Sequence, residues 1–289
     1  MALIKKSFGG KVFDICNTIF LILLGIITFY PFWYEVCISF SKGEQALRGG
    51  LFFWPKDFTI EAYKVVLGGQ YIWQAFRNSF FVTIVGTVIG VMITASLAYP
   101  MAKRTLPGKK ILTVFILATL LFHGGIIPTY LTVRKLGLVN SLWALILLGA
   151  ANPFNVMVMR NFFANIPEEI EESAFIDGAS PIRIFTVLIL PLSMPVIATI
   201  SLWLSVFLWN DFFRGVMFLN DRTKFVLPVL LREIIQSESQ IQSDGRMTET
   251  ITQTITASTV VIALIPILCV YPFLQKYFVK GVMVGSVKG

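Results

Sequence analysis

Six stretches of this chain contain no Asp, Glu, Lys or Arg: residues 15–34, 78–102, 111–133, 136–159, 184–210 and 250–274. A helix that crosses a bilayer needs about 20 consecutive, mostly apolar residues, whereas apolar runs of about 10–14 residues suit buried helices of soluble domains. Six windows of spanning length predict an all-α membrane protein with six transmembrane helices. Composition agrees. Of the 289 residues 56% are hydrophobic and only 14% charged, with a mean hydropathy of +0.76. An ordinary soluble domain carries roughly 25% charged residues, so this chain has too little polar surface to cover a water-soluble globule. No repeat, low-complexity tract or soluble module interrupts the spans, and residues 1–289 read as a single transmembrane domain.

The net charge of +8 does not point to nucleic acid. The basic residues flank apolar runs instead of interleaving with aromatics, as expected beside lipid headgroups. Lys5, Lys6 and Lys11 precede the first window, which is too long for a signal-peptide core and lacks a small-residue cleavage pattern after it. It reads as an uncleaved first span. The 24 Lys and Arg divide evenly between the two sides, so the short cluster Lys103, Arg104, Lys109 and Lys110, with Lys276 and Lys280, sets the orientation. Both termini are then expected in the cytoplasm of a multi-pass plasma-membrane protein. The longer segments 41–77 and 213–249 lie outside, and 161–183 lies inside. Cys16, Cys37 and Cys269 share no metal or redox spacing and read as small hydrophobes. Gly124, Gly125 and Pro128, then Pro153, then Pro191 and Pro195, interrupt spans three to five. Such residues persist in membrane helices where neighbours satisfy the freed backbone. The third span is expected to bend or break near Gly124, either for packing or to shape a path.

Residues 165–185, between spans four and five, are the most informative. Pro167 suits the first position of a helix, and Glu168, Glu169, Glu171 and Glu172 favour its positive end. Gly178 suits a left-handed cap, and Ser180 before Pro181 suits the N-cap of a second helix. Ile170, Ala174 and Gly178 recur every four residues, a stripe whose small members allow close approach by another protein.

The run Glu172-Ser173-Ala174-Phe175-Ile176-Asp177-Gly178-Ala179, followed by Leu190-Pro191, resembles the EAA loop of ABC importer permeases. That pattern begins Glu-Ala-Ala, has Gly four residues after the second Ala, and closes Ile-x-Leu-Pro. Ser173 and Leu188 depart from it conservatively. Trp209-Asn210-Asp211-Phe212, the segments Phe52-Phe-Trp54-Pro55 and Glu61-Ala-Tyr63, and the tail 277–289 resemble the carbohydrate branch, the maltose-type inner permease. The tail is similar to permeases for complex oligosaccharides of Gram-positive bacteria. The resemblance covers essentially the whole chain. It implies the type I ABC importer permease fold, with a cytoplasmic coupling helix that seats in a groove of a cytosolic ATPase. Carried over by position, Ile170, Glu172, Ala174, Asp177, Gly178 and Ala179 would make that contact. The implied partners are a second homologous permease, an ATPase dimer that binds Mg-ATP, and an extracellular solute-binding protein. The implied cargo is a carbohydrate, an oligosaccharide.

The residues offer no chemistry of their own. There is no Gly-x-x-x-x-Gly-Lys-Ser/Thr loop to cradle phosphates, no metal constellation and no nucleophile with its base. No cofactor is therefore expected in this chain, and it is expected not to be an enzyme. Spans without acids argue against a proton-coupled carrier. Polar side chains in or beside spans are candidates for the solute path. These are Trp209, Asn210, Asp211, Asn152, Asn155 and His123, although each has a purely structural reading as well. Arg214, Arg222, Lys224 and Arg232 hint at uronate-bearing fragments. A permease of the same kind for an amino acid, a polyamine or a peptide or lipid precursor is the alternative.

Overall fold

The structure, a computed structural model, describes residues 8–122, 124–243, 253–266 and 268–269, and every regular element among them is helical. The helices are α1 (Phe8–Ser39), α2 (Gly43–Leu47), α3 (Glu61–Gly68), α4 (Gln70–Ala102), α5 (Lys109–Leu121), α6 (Ile126–Lys135), α7 (Leu142–Ala150), α8 (Pro153–Phe163) and α9 (Glu168–Ile176). They continue with α10 (Pro181–Arg183), a π-helical turn (Ile184–Ile189), α11 (Leu190–Leu192), α12 (Met194–Trp209), α13 (Phe212–Phe218), α14 (Leu227–Ser243) and α15 (Gln253–Pro266).

Only α1 and α4 are by themselves long and apolar enough to cross a membrane. Three further windows are bent pairs. α5 and α6 turn by 110°, α7 and α8 by 44°, and Pro181–Leu192 meets α12 at 80°. The break in the third window falls at Gly125, whose φ of 84° suits glycine. The fifth window, expected as one span interrupted by Pro191 and Pro195, is bent at Ser193 into two helical rods. Pro191 and Pro195 flank that corner and remove two amide donors there, which permits the bend without fixing its angle. The fourth window starts later than its apolar run. Leu136 and Gly137 cap α6, and Asn152 with Pro153 restarts the helix as α8. Of the sixth window, α15 is described; parts of 250–274 and the tail 277–289 lie outside the described residues, as does His123.

The described residues divide into two units. One comprises those between 8 and 69 with those between 234 and 264. Its apolar window in α1 is exposed along its length (Phe13, Phe20, Ile27), as expected of a helix facing lipid. After α1 the chain folds back on itself. Phe52 is fully buried with Cys37, Ile38, Ala46 and Ala257, its ring edge-on to Tyr34 at 5.6 Å. Tyr63 stacks on Phe40 at 4.7 Å and shares a 2.8 Å hydrogen bond with the Ser39 hydroxyl.

In the other unit α4 is the central strut. Its 33 residues span about 50 Å at 1.5 Å per residue, longer than the roughly 30 Å hydrocarbon layer. Val82, Gly86, Gly90, Ala95, Ala98 and Met101 mark its buried face. Towards its C-terminus that face packs on Val156, Met159 and Phe163 of α8 and on Val196, Ile200 and Leu204 of α12. Nearer its N-terminus Val82 joins Ala144, Leu145 and Ile146 of α7, with Leu208 and Phe218.

Gly86 and Gly90 form a Gly-x-x-x-Gly notch. A Cβ on Gly86 would lie 2.6 Å from Leu208 Cδ1, and one on Gly90 would lie 3.0 Å from Leu204 Cδ1 and 3.3 Å from the Ala150 carbonyl. Between membrane helices there is no hydrophobic driving force, so close backbone approach supplies the attraction. Adding side-chain volume at Gly86 should therefore cost about 1–3 kcal/mol as overpacking. Gly86→Val is expected to lower the thermal unfolding midpoint of the purified protein, and Leu208→Ala in the same chain is expected to recover most of the loss. Equal losses with and without Leu208→Ala would exclude this contact as the cause.

Candidate functional site

The loop between α8 and α10 is built by its caps. α9 begins at Glu168, with Pro167 one residue earlier than expected, at the N-cap with ψ 132°. Three glutamates, Glu168, Glu169 and Glu171, occupy the first turn, where the N–H groups have no helical acceptor. The far end closes by the paired bonds of a Schellman motif. Gly178 N donates to Phe175 O at 3.0 Å and Ala179 N to Ala174 O at 3.0 Å, with Gly178 in the left-handed region at φ 78°. Ser180 then accepts from Arg183 N and Pro181 leads into α10. The chain thus reverses within a few residues, with the C-terminal end of α9 and the N-terminal end of α10 both capped.

Of the six residues expected to contact an ATPase, Glu172, Asp177 and Gly178 are exposed, while Ile170, Ala174 and Ala179 are half-buried. Ala174 and Ala179 pack with Ile166 and Phe185 on the core around Met101 and Phe163. At these positions the close approach allowed by small side chains is one to the chain's own bundle. The outward face carries apolar residues that sequence reasoning missed: Phe175, Ile176 (86% exposed) and Ile182 (76% exposed). Bulky apolar side chains on a highly charged loop were the available signal.

Also missed was the attachment of α9 to α4. The Tyr99 hydroxyl donates to Glu171 Oε2 at 3.0 Å, and the Lys103 ammonium pairs with the same oxygen while lying over the Tyr99 ring. Arg104 Nε lies 3.2 Å from Glu168 Oε1, an exposed pair. Glu168 and Glu171, three residues apart, were visible in the sequence, but not that they face Lys103 and Arg104 at the end of α4.

Among the described residues, most of the solute-path candidates are engaged within the fold. Trp209 is 7% exposed and turns its indole into α4, edge-on to Phe80 at 5.1 Å. Asn210 ends α12 and donates to Val206 O at 2.8 Å. Asn152 caps α8, accepting from Phe154 N at 2.9 Å, and Asn155 is buried one turn on. Asp211 caps α13, and its Oδ2 lies 2.6 Å from Arg214 Nε. The Arg214 guanidinium stands 4.6 Å over Phe207 and next to Gly149, where any Cβ would lie 3.4 Å from its nitrogens. An ion pair of this kind, largely removed from water, is a fixed structural element more than a free cation.

At the N-terminal end of α4 a second clasp holds residues 219–227. Asn78 Nδ2 donates to Thr223 O and Phe225 O, both at 3.0 Å, and Leu227 N donates to Ser79 Oγ at 2.8 Å. Asn140, left-handed at φ 60°, accepts from Asn220 N and Asp221 N. The Asp221 carboxyl is held below the usual aspartate range because it accepts from the backbone N–H and then the hydroxyl of Thr223. No group of three or more potential metal ligands occurs among the described residues.

The sequence model of the family described as "Binding-protein-dependent transport system inner membrane component" matches residues 11–284. Protein LplC of Bacillus subtilis (strain 168) is 44% identical over 284 residues, 97% of this chain and 96% of its own length. The polygalacturonan/rhamnogalacturonan transport system permease protein YtcP of the same organism is 40% identical, over 97% and 99%. Among solved structures, a chain of a bacterial ABC transporter involved in import of the acidic polysaccharide alginate superposes with a TM-score of 0.87. It is 29% identical, with 96% of this chain and 100% of that chain covered.

The cap at Gly178 gives a direct check of the local fold. No atom lies within 4 Å of a Cβ built there, so substitution is penalised by the backbone alone. Gly178→Ala should destabilise the loop by about 1–2 kcal/mol, the cost of a left-handed L-residue. Gly178→Asn should cost less, since asparagine tolerates that region better. Hydrogen exchange of the amides of residues 174–180 reads both.

Proposed function

This chain belongs to the family of binding-protein-dependent transport system inner membrane components, and we propose that it is the permease subunit of an ATP-driven importer for oligosaccharides that include uronate-bearing fragments. It is a membrane transport component and not an enzyme. The observation that carries the mechanism is α9. This short capped helix stands on the bundle by its inner face and presents Glu172, Phe175, Ile176 and Asp177 outward, with Ile182 beside them. Exposed apolar side chains next to acids on a rigid turn suit a groove in a partner protein, where burial of a few anchors provides most of the binding energy. The partner we assign is a cytosolic ATPase dimer that binds Mg-ATP. In this reading α9 and both termini are cytoplasmic, and the residue 219–227 clasp lies on the outer face, toward the solute-binding protein. A second homologous permease completes the translocation path. In this reading Ile170, Ala174 and Ala179 seat the docking helix, and Glu172, Asp177 and Gly178 shape its contact.

The carbohydrate assignment draws on the similarity to the polygalacturonan/rhamnogalacturonan permease and to the alginate importer chain. The basic residues near the 219–227 clasp add little to it. Arg214 is paired with Asp211, Arg222 lies over Tyr71 and pairs with Glu233, and Lys224 Nζ donates to Asn140 O.

Two measurements test the proposal. Glu172→Lys with Ile176→Asp, expressed with the partner subunits, should insert normally yet weaken ATPase association by about 30-fold or more, as loss of a hot spot does. Normal co-purification of the ATPase would reject α9 as its seat. Proteoliposomes holding the full complex should take up oligogalacturonides in preference to neutral oligosaccharides. Uptake of neither, with robust uptake of an amino acid, polyamine or peptide, would replace the sugar assignment.

A further inference from the structure

The polar lock between α9 and α4 has a geometry that packing alone does not require. Glu171 sits on the inner face of α9 with its side chain 13% exposed, and its Oε2 is shared by the Tyr99 hydroxyl and the Lys103 ammonium. The Tyr99 ring is itself fixed on three sides. Lys103 Nζ lies 4.4 Å from its centroid, Phe185 stacks on it at 4.8 Å, and Phe163 meets it edge-on at 6.1 Å. Phe185 belongs to the π-helical turn that begins the bent fifth window, and π-turns recur at functional sites. The end of α4 is tied down in turn. Lys109 Nζ donates to Lys103 O at 2.9 Å and to Ala102 O at 3.2 Å, neutralising the negative end of the helix. By contrast the Arg104–Glu168 pair is open to solvent and contributes little.

A nine-residue helix is too short to hold its place by its own hydrogen bonds. Its inner apolar contact at Ala174 is non-directional and small, and would let it slide or rock on the bundle. A partly buried charged network, with Glu171 13% and Lys103 33% exposed, is directional, and it weakens if any one member moves away. We propose that Glu171 is a positioning residue for transport. With Tyr99 and Lys103 it locks α9 to the end of α4, and through Phe185 to the fifth window. A displacement of α9 then moves those helices and is not absorbed by the loop. This rests on α9 being the seat of the ATPase. It adds a residue facing away from that seat, on which conversion of ATP hydrolysis into solute movement depends.

The experiment uses the whole complex, reconstituted with its ATPase and solute-binding protein. The variants are Glu171→Gln, Lys103→Gln, Tyr99→Phe and the double variant Glu171→Gln/Lys103→Gln. Three quantities are read: ATPase retained per permease, ATP hydrolysed, and solute taken up per ATP. Glu171→Gln and Lys103→Gln should retain the ATPase at parental stoichiometry and hydrolyse ATP, while uptake per ATP falls about tenfold, the scale of one coupling free energy. The double variant should lie within about twofold of the worse single variant, because one network is being broken twice. Tyr99→Phe, which removes only the hydroxyl and keeps the ring stack, should fall between parent and Glu171→Gln and covers the case of a poorly folded glutamine variant.

Uptake per ATP within about twofold of the parent in both Glu171→Gln and Tyr99→Phe would overturn the proposal, as would fully additive losses in the double variant, since independent residues add. Loss of the ATPase from the Glu171→Gln complex would also overturn it, by moving Glu171 into the docking surface. Failure of the docking assignment itself shows elsewhere, as normal ATPase retention in Glu172→Lys/Ile176→Asp.

Discussion

A helix that stops inside hydrocarbon leaves N–H and C=O groups that no water can reach, each costing several kcal/mol. This chain stops its helices repeatedly within apolar windows, and the rest of the structure is arranged around those stops. Ser141 accepts from Trp143 N at the start of α7, Asn152 accepts from two amides at the start of α8, and Asp211 accepts from Arg214 N at the start of α13. Gly125 and Gly137 take positive φ where the backbone must turn. The side chains of Ser141, Asn152 and Asp211, polar and out of place in the sequence, are therefore occupied by backbone groups. Asn152 and Asp211, read from sequence as possible solute contacts, each carry a structural task in the fold for this reason. Their side-chain acceptors are already engaged.

With the breaks satisfied, one uninterrupted helix organises its unit. α4 carries a polar clasp at each end, with Asn78 and Ser79 near its N-terminus and Tyr99 and Lys103 near its C-terminus. The two clasps lie about 30 Å apart at 1.5 Å per residue. Between them the helix packs mainly through small and apolar side chains, with the hydroxyls of Thr83, Thr87 and Thr94 buried among them. Polar specificity is concentrated where water or a partner protein is available, and the middle is left to shape.

Membrane character and helical class were legible because an uncharged window of spanning length finds its natural surroundings in lipid and hardly anywhere else. The turn at Gly178 and the cap at Ser180 were legible for the same kind of reason, since each residue is the least strained solution to a local backbone requirement. The corner at Ser193 was not. Two prolines four residues apart are compatible with a kinked span as well as with an 80° break, and the choice falls to what α4 and α8 leave room for. The direction of the Ala174 stripe was hidden similarly: small side chains announce a close neighbour but do not say which chain supplies it. The Glu171 network needed tertiary proximity, since Tyr99 and Glu171 are 72 residues apart.

The meshing of α4 with α12 has a further mechanical meaning. Leu208 fills the notch at Gly86 and Leu204 the notch at Gly90, both pairs being spaced by four residues, close to one helical turn. If α12 slid along α4 by that repeat, one leucine would drop into the notch vacated by the other. At intermediate positions both would ride against larger side chains. Such a surface would act as a detent with stops about 5–6 Å apart. A pull on one of these helices would then be held by the other or released as a whole step, turning a graded load at the end of the bundle into a discrete change along it.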